Sequence, residues 1–168
     1  MTLQTLAQPV SVPFSHLGNY AGNTPNPRPI VQVEVASVGP GGVLAGKPLT
    51  TGVLVDSGAD VTMLDGGLAP TLGVNLATCP QGVIGGVGSG GVPVAEATVK
   101  MRLCGHWFDI PVNFTLQPIG HPQLLGRSGA SERIFWAFMH DRAVVLALAP
   151  ASPPPSAPIP LPPQPVGP

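Results

Sequence analysis

The chain has 168 residues, 43% of them apolar, and a formal net charge of -1, which suits one domain with its own core plus tails. Charged side chains make up only 9%, so there is no basic stripe for a phosphate backbone and no polybasic patch for a membrane surface, and neither nucleic acid nor a membrane is an expected partner. No window reaches the ~18 apolar residues of a membrane span, and no basic segment precedes an apolar run at the N-terminus, so a soluble cytoplasmic protein is expected.

The 22 Gly and 23 Pro outnumber the 15 charged side chains threefold. Such a composition favours strands, turns and extended segments over long amphipathic helices, and an all-β class follows. Cys79 and Cys104 are too few for a disulfide framework and read as buried or partly buried thiols. Cys104, His106 and His121 lack the paired spacing of a zinc site, so no metal or cofactor is expected.

In chain order, residues 1–28 read as a flexible N-terminal arm, punctuated by Pro9, Pro13, Pro25 and Pro27 and extended where it is ordered. A domain spanning 29–149 follows. Ile30-Val31-Gln32-Val33-Glu34-Val35 alternates as a strand, Gly39-Pro40-Gly41-Gly42 interrupts it, and residues 47–55 resume as its hairpin partner. That hairpin delivers Asp56 into Asp56-Ser57-Gly58, a carboxylate on a tight turn at the end of a rigid apolar strand. Taken alone, such a triplet is most simply a turn capped by its own Asp side chain. Residues 61–64 read as a short strand, and 68–72 as a single helical turn with Pro70 near its start and Gly73 at its end.

The glycine-rich residues 82–91 describe a hairpin with a mobile tip. Residues 86–91 also spell G-x-G-x-x-G, but that phosphate-cradling motif needs a helix N-terminus behind it. Here Val92-Pro93-Val94 and the alternating residues 95–103 read as a strand, which argues against a dinucleotide site. Cys104-Gly105-His106 makes a turn, with His106 a turn residue and not a catalyst, and 107–114 return as a strand.

Gln123-Leu124-Leu125-Gly126-Arg127 reads as a strand end followed by a fixed cation. With Ser128 as N-cap and Glu132 in an early turn, residues 128–135 are expected to form a short helix that packs on the core through Ile134 and Phe135. Residues 138–148 read as a hairpin turned at 140–142. The ten prolines of residues 150–168 forbid helix and ladder alike, so this stretch reads as a disordered tail.

Three of these stretches, in this order, resemble the retropepsin family, the half-size aspartic proteases of retroviruses and their bacterial and cellular relatives. They are Leu54-Val55-Asp56-Ser57-Gly58-Ala59-Asp60, the glycine-rich Ile84-Gly85-Gly86-Val87-Gly88, and Leu124-Leu125-Gly126-Arg127. The resemblance implies a closed β-barrel of the acid-protease fold with one short C-terminal helix, acting as a homodimer on peptide or protein substrates. Asp56 matches the catalytic aspartate, residues 84–88 the substrate-covering flap, and Ser57, Gly58, Ala59, Asp60 and Arg127 the support of the active-site loop. Asp60 and Arg127 are expected to form a buried ion pair, and the Ser57 hydroxyl to bond across to a partner loop. Ser128 departs from the acidic or Asn residue common in retroviral members, and the terminal hairpin looks like that of cellular relatives, whose dimer sheets are built from such hairpins.

The chemistry asks for the same arrangement. Hydrolysis by carboxylates needs one to take a proton from water and another to protonate the carbonyl oxygen. The sequence has one Asp-Ser-Gly: Asp65-Gly66-Gly67 lacks the hydroxyl and Arg127-Ser128-Gly129 lacks the acid. A second copy related by a two-fold axis would supply the other Asp56. The alternative from a different class is a catalytically silent protease-like module for peptide binding or assembly, against which the intact Asp56, Ser57 and Gly58 argue. A plain β-barrel leaves the glycine-rich hairpin unexplained, and Val87 breaks the G-x-S-x-G of a serine hydrolase at Ser89.

Overall fold

The alternation of Ile30 to Val35 sets one wall of the molecule: Val31, Val33 and Val35 are buried while Gln32 is exposed. The computed structural model describes residues 16–21, 28–85, 90–118, 123–131, 133–139 and 143–148. The rest of the expected arm, the proline-rich tail, Gly86, Val87 and Gly88 of the expected flap, and the hairpin turn at 140–142 lie outside the described residues.

The strands are β1 (His16–Ala21), β2 (Arg28–Val38), β3 (Leu44–Val55), β4 (Thr62–Asp65), β5 (Gln81–Ile84), β6 (Val92–Leu103), β7 (His106–Thr115), β8 (Gln123–Leu125), β9 (Ile134–Met139) and β10 (Ala143–Leu148). Six of them close on themselves in the order β2-β3-β8-β4-β7-β6, with β6 returning to β2 through Glu34↔Arg102 to Ser37↔Val99. Closure removes the open edges that a flat sheet would leave. The inside is filled by Val31, Val33 and Val35 of β2, Val53 and Val55 of β3, Leu64 of β4, Val99, Met101 and Leu103 of β6, Ile110, Val112 and Phe114 of β7, and Leu125 of β8. Ala69 and Leu72, from the segment after β4, join the same buried cluster. The all-β class expected from composition is the class observed.

Local chemistry accounts for the connections. Gly41 and Gly42 take positive φ between β2 and β3, where the sequence placed a break. Cys104 and Gly105 both have positive φ, 51° and 82°, the geometry of a two-residue hairpin whose twist suits Leu103↔His106 pairing. The expected helical turn at 68–72 is present: Leu72 N–H donates to Leu68 O, and Gly73 closes it at φ 67°. Val92 continues directly into β6, so no helix follows the glycine-rich loop and the dinucleotide reading has no structural support.

The short helix expected over residues 128–135 is not formed, and no α-helix occurs among the described residues. Ala130 and Ser131 N–H both donate to Arg127 O, and Arg133 and Ile134 N–H both donate to Ala130 O, giving two successive turns before β9 begins at Ile134. Gly129 explains the difference: at φ 73° it leaves the helical region, and a Cβ there would stand 2.4 Å from Pro111 Cδ. Ile134 still packs into the core, from a strand, while the side chain of Phe135 lies outside what is described.

Outside the barrel, β1, β10 and β9 extend the sheet from the start of β2. β1 pairs with β2 at Tyr20↔Pro29 and with β10 from His16↔Leu146 to Asn19↔Ala143, and β10 pairs with β9 along its length. Strand β1 falls inside the stretch read as an arm. Among the described residues no helix is long and apolar enough to cross a membrane. Cys104 is buried and Cys79 partly so.

Candidate active site

Strand β3 ends where the carboxylate begins. Its last residues run parallel to β8, with Val53↔Gln123, Leu54↔Leu124 and Val55↔Leu125 in register, and the next main-chain amide, Asp56 N–H, donates to Leu125 O at 3.1 Å. Val55 and Leu125 are both buried, so the backbone that carries Asp56 is anchored to the core on its N-terminal side. On its other side the chain turns at once. Ala59 N–H donates to Asp56 O at 3.2 Å, and Gly58 N–H donates to Asp56 Oδ1 at 2.9 Å. The second bond is the side-chain-capped turn that an Asp-Ser-Gly triplet forms by itself. It also fixes one carboxylate oxygen and orients the other. A Cβ at residue 58 would stand 3.2 Å from Asp56 Oδ1, a crowding that glycine avoids. Asp56 is half-buried, and Ser57 and Gly58 are exposed.

The loop then laces to the segment after β8. Arg127 N–H donates to Ala59 O at 2.9 Å and Ser128 N–H to Asp60 O at 2.9 Å. The Arg127 guanidinium pairs with the Asp60 carboxylate through Nη2 and Oδ1. Residues 56–60 and 125–128, far apart in sequence, are thereby one unit. The expected burial of this ion pair is absent from the single chain: the side chains are 55% and 80% exposed. It also joins the loop to turns and not to a helix. In such exposure its own contribution to stability is small, and the main-chain bonds beside it do the joining.

Of the flap residues, Ile84 ends β5 half-buried and Gly85 follows it, while Gly86, Val87 and Gly88 lie outside the described residues. Strand β5 pairs antiparallel with β6 from Gln81↔Ala95 to Ile84↔Val92, and Val83 is 71% exposed. Gly91, at φ 75°, begins the return.

Two polar residues near the loop carry no motif and were not singled out from sequence. Thr62 is fully buried and its Oγ1 accepts from Gly126 N–H at 3.2 Å. Gln123 bridges β3 and β4, donating from Nε2 to Thr51 Oγ1 at 2.7 Å and accepting at Oε1 from Asp65 N–H at 3.4 Å. The available signal was a hydroxyl inside the apolar run Val61-Thr62-Met63-Leu64. Among the described residues no three His, Cys, Asp or Glu side chains gather as a metal site would need.

No protein-family model matches the chain, and no curated protein matches it in sequence. Solved structures do. The chain is similar to a retropepsin-like aspartic protease from Rickettsia conorii, with a TM-score of 0.55 and 16% identity over 85% of this chain and 99% of that one. It is also similar to the EIAV protease complexed with an inhibitor, with a TM-score of 0.44 and 26% identity over 64% of this chain and 88% of that one. The Rickettsia likeness is one of fold: this chain has a retropepsin-like β-barrel.

Proposed function

We propose that the chain is an aspartic endopeptidase that acts as a homodimer, with the Asp56 carboxylates of two copies sharing one water. The observation that supports this reading is that Asp56 directly follows β3 of a retropepsin-like barrel, its backbone held by Leu125 and its carboxylate aimed by Gly58. The need for a second copy comes from the acids nearby. Asp60 is engaged by Arg127, and Asp65 stands in Asp65-Gly66-Gly67 and not in a second Asp-Ser-Gly, so a second Asp56 would come from a second copy.

Two carboxyls brought together cannot both ionise without strong repulsion, so such a pair holds one proton between them, and its titration belongs to the pair. The ionised member takes a proton from the water as its oxygen attacks the peptide carbonyl carbon. The protonated member gives its proton to the carbonyl oxygen. When the tetrahedral species collapses, one of its two hydroxyls returns a proton to the ionised carboxylate, the other carboxyl gives its proton to the nitrogen, and the C–N bond breaks, leaving a carboxylic acid, an amine and a dyad that again holds one proton. The β5–β6 hairpin would cover an extended substrate and hold it through main-chain hydrogen bonds, side-chain pockets setting preference. The Ser57 hydroxyl, exposed in the single chain, would reach the partner's loop.

The test is cleavage of an unbiased peptide library from about pH 4 to pH 7 by the wild-type protein and by Asp56→Asn, with oligomeric state followed in parallel. Cleavage by a dimeric wild type that disappears in Asp56→Asn supports the shared dyad. A folded dimer that cuts nothing at any pH replaces it with the silent peptide-binding module.

A further inference from the structure

Within β4, Thr62 stands beside Met63 and Leu64, and all three side chains are at most 1% exposed. A hydroxyl placed there is penalised by desolvation unless it is hydrogen-bonded, and valine would fill the same volume without that cost. Its bond is to the main chain of the neighbouring segment: Thr62 Oγ1 accepts from Gly126 N–H at 3.2 Å, in buried surroundings.

The geometry around Gly126 explains why a side chain supplies this acceptor. Strand β8 meets β4 in one antiparallel pair, Met63↔Leu124, and two residues further along the chains press together at Val61 and Gly126. A Cβ on Gly126 would lie 2.2 Å from Val61 O and 3.0 Å from Ala59 O. The neighbouring contacts are main-chain bonds: Asp56 N–H to Leu125 O, Arg127 N–H to Ala59 O, and Ser128 N–H to Asp60 O. Gly126 N–H, between them, is met by the Thr62 hydroxyl. The hydroxyl stands in for a ladder carbonyl at the one point where the two chains cross.

We infer that Thr62 is a positioning residue for Asp56: its hydroxyl pins Gly126, and through Gly126 it fixes the Leu125 carbonyl that holds the Asp56 amide. Thr62 touches neither substrate nor the reacting atoms. The catalytic consequence rests on the aspartic-protease reading above; the clamp itself does not.

The experiment compares wild type, Thr62→Val and Thr62→Ser as full-length dimers. Thr62→Val keeps the shape and loses the hydroxyl, and Thr62→Ser keeps the hydroxyl and loses a methyl. With a peptide that the wild type cleaves, Thr62→Val is expected to lower kcat about tenfold or more while KM stays within about twofold, and Thr62→Ser to restore kcat to within about threefold of wild type. Amide hydrogen exchange is read on the same proteins. In Thr62→Val, Gly126 and Asp56 amides exchange about tenfold faster or more while Val53 in β3 keeps its rate, and Thr62→Ser shows wild-type exchange. Unchanged exchange at Gly126 and Asp56 in Thr62→Val overturns the inference, as does a Thr62→Ser protein as perturbed as Thr62→Val, which would assign the effect to methyl packing. If the wild type cleaves nothing, the protease reading falls, and the exchange rates alone decide whether Thr62 holds the loop.

Discussion

A side chain on Gly126 would place its Cβ 2.2 Å from the carbonyl oxygen of Val61. Backbone carbonyls cannot retreat as a flexible side-chain end can, and both residues lie in the segment that fixes Asp56. Gly126→Ala is expected to destabilise the protein by at least about 2 kcal/mol, read from urea denaturation. Among the described residues, chain neighbours aside, nothing lies within 4 Å of a would-be Cβ on Gly85, so Gly85→Ala should stay within about 1 kcal/mol of wild type. Equal effects at the two sites would refute the close crossing.

Asp56→Asn retains an oxygen able to accept from Gly58 N–H, so the turn and the fold should survive with an unchanged denaturation midpoint. Loss of the ionisable group should lower kcat/KM by at least about a hundredfold, measured on the peptide that the wild type cuts best. A folded Asp56→Asn protein with wild-type turnover would assign the chemistry elsewhere.

The Asp60–Arg127 pair is 80% and 55% exposed at its two side chains, while Arg127 N–H donates to Ala59 O whatever the side chain. Arg127→Ala should therefore cost the single chain no more than about 1 kcal/mol of unfolding free energy. Dimer assembly should suffer more than chemistry, seen as a higher dissociation constant in sedimentation and as activity recovered by raising the protein concentration. An Arg127→Ala protein that is dimeric and fully active at low concentration would remove this role.

Gln123 ties the other end of the three-residue β8 to its neighbours, through Thr51 Oγ1 at 2.7 Å and Asp65 N–H at 3.4 Å. Gln123→Ala should lower stability by about 1–2 kcal/mol in chemical denaturation, with kcat unchanged because Leu125 and Gly126 keep their own partners. A kcat loss matching the stability loss would show that β8 transmits its whole length to Asp56.

What the residues settle locally was legible without a structure. The alternation at Ile30 to Val35 gave the buried face of β2, the apolar residues up to Val55 gave the strand that ends at Asp56, and Asp-Ser-Gly gave the turn whose amide caps its own carboxylate. These are interactions between residues at most a few positions apart, for which side-chain period and backbone preference suffice. The helix expected after Ser128 failed for a non-local reason. Its capping pattern is sound, but Gly129 must lie against Pro111, and contact with β7 outweighs helix propensity in so short a segment.

The site as a unit belongs to the tertiary structure. No local pattern in the sequence pairs Val55 with Leu125 in parallel, closes the barrel between β2 and β6, or brings the Thr62 hydroxyl to Gly126. Each joins residues distant along the chain, where the loss of chain entropy is repaid only by burying a shared core. From the residues alone one reads that Asp56 follows an apolar strand into a tight turn; the closing of the barrel decides what holds that turn still.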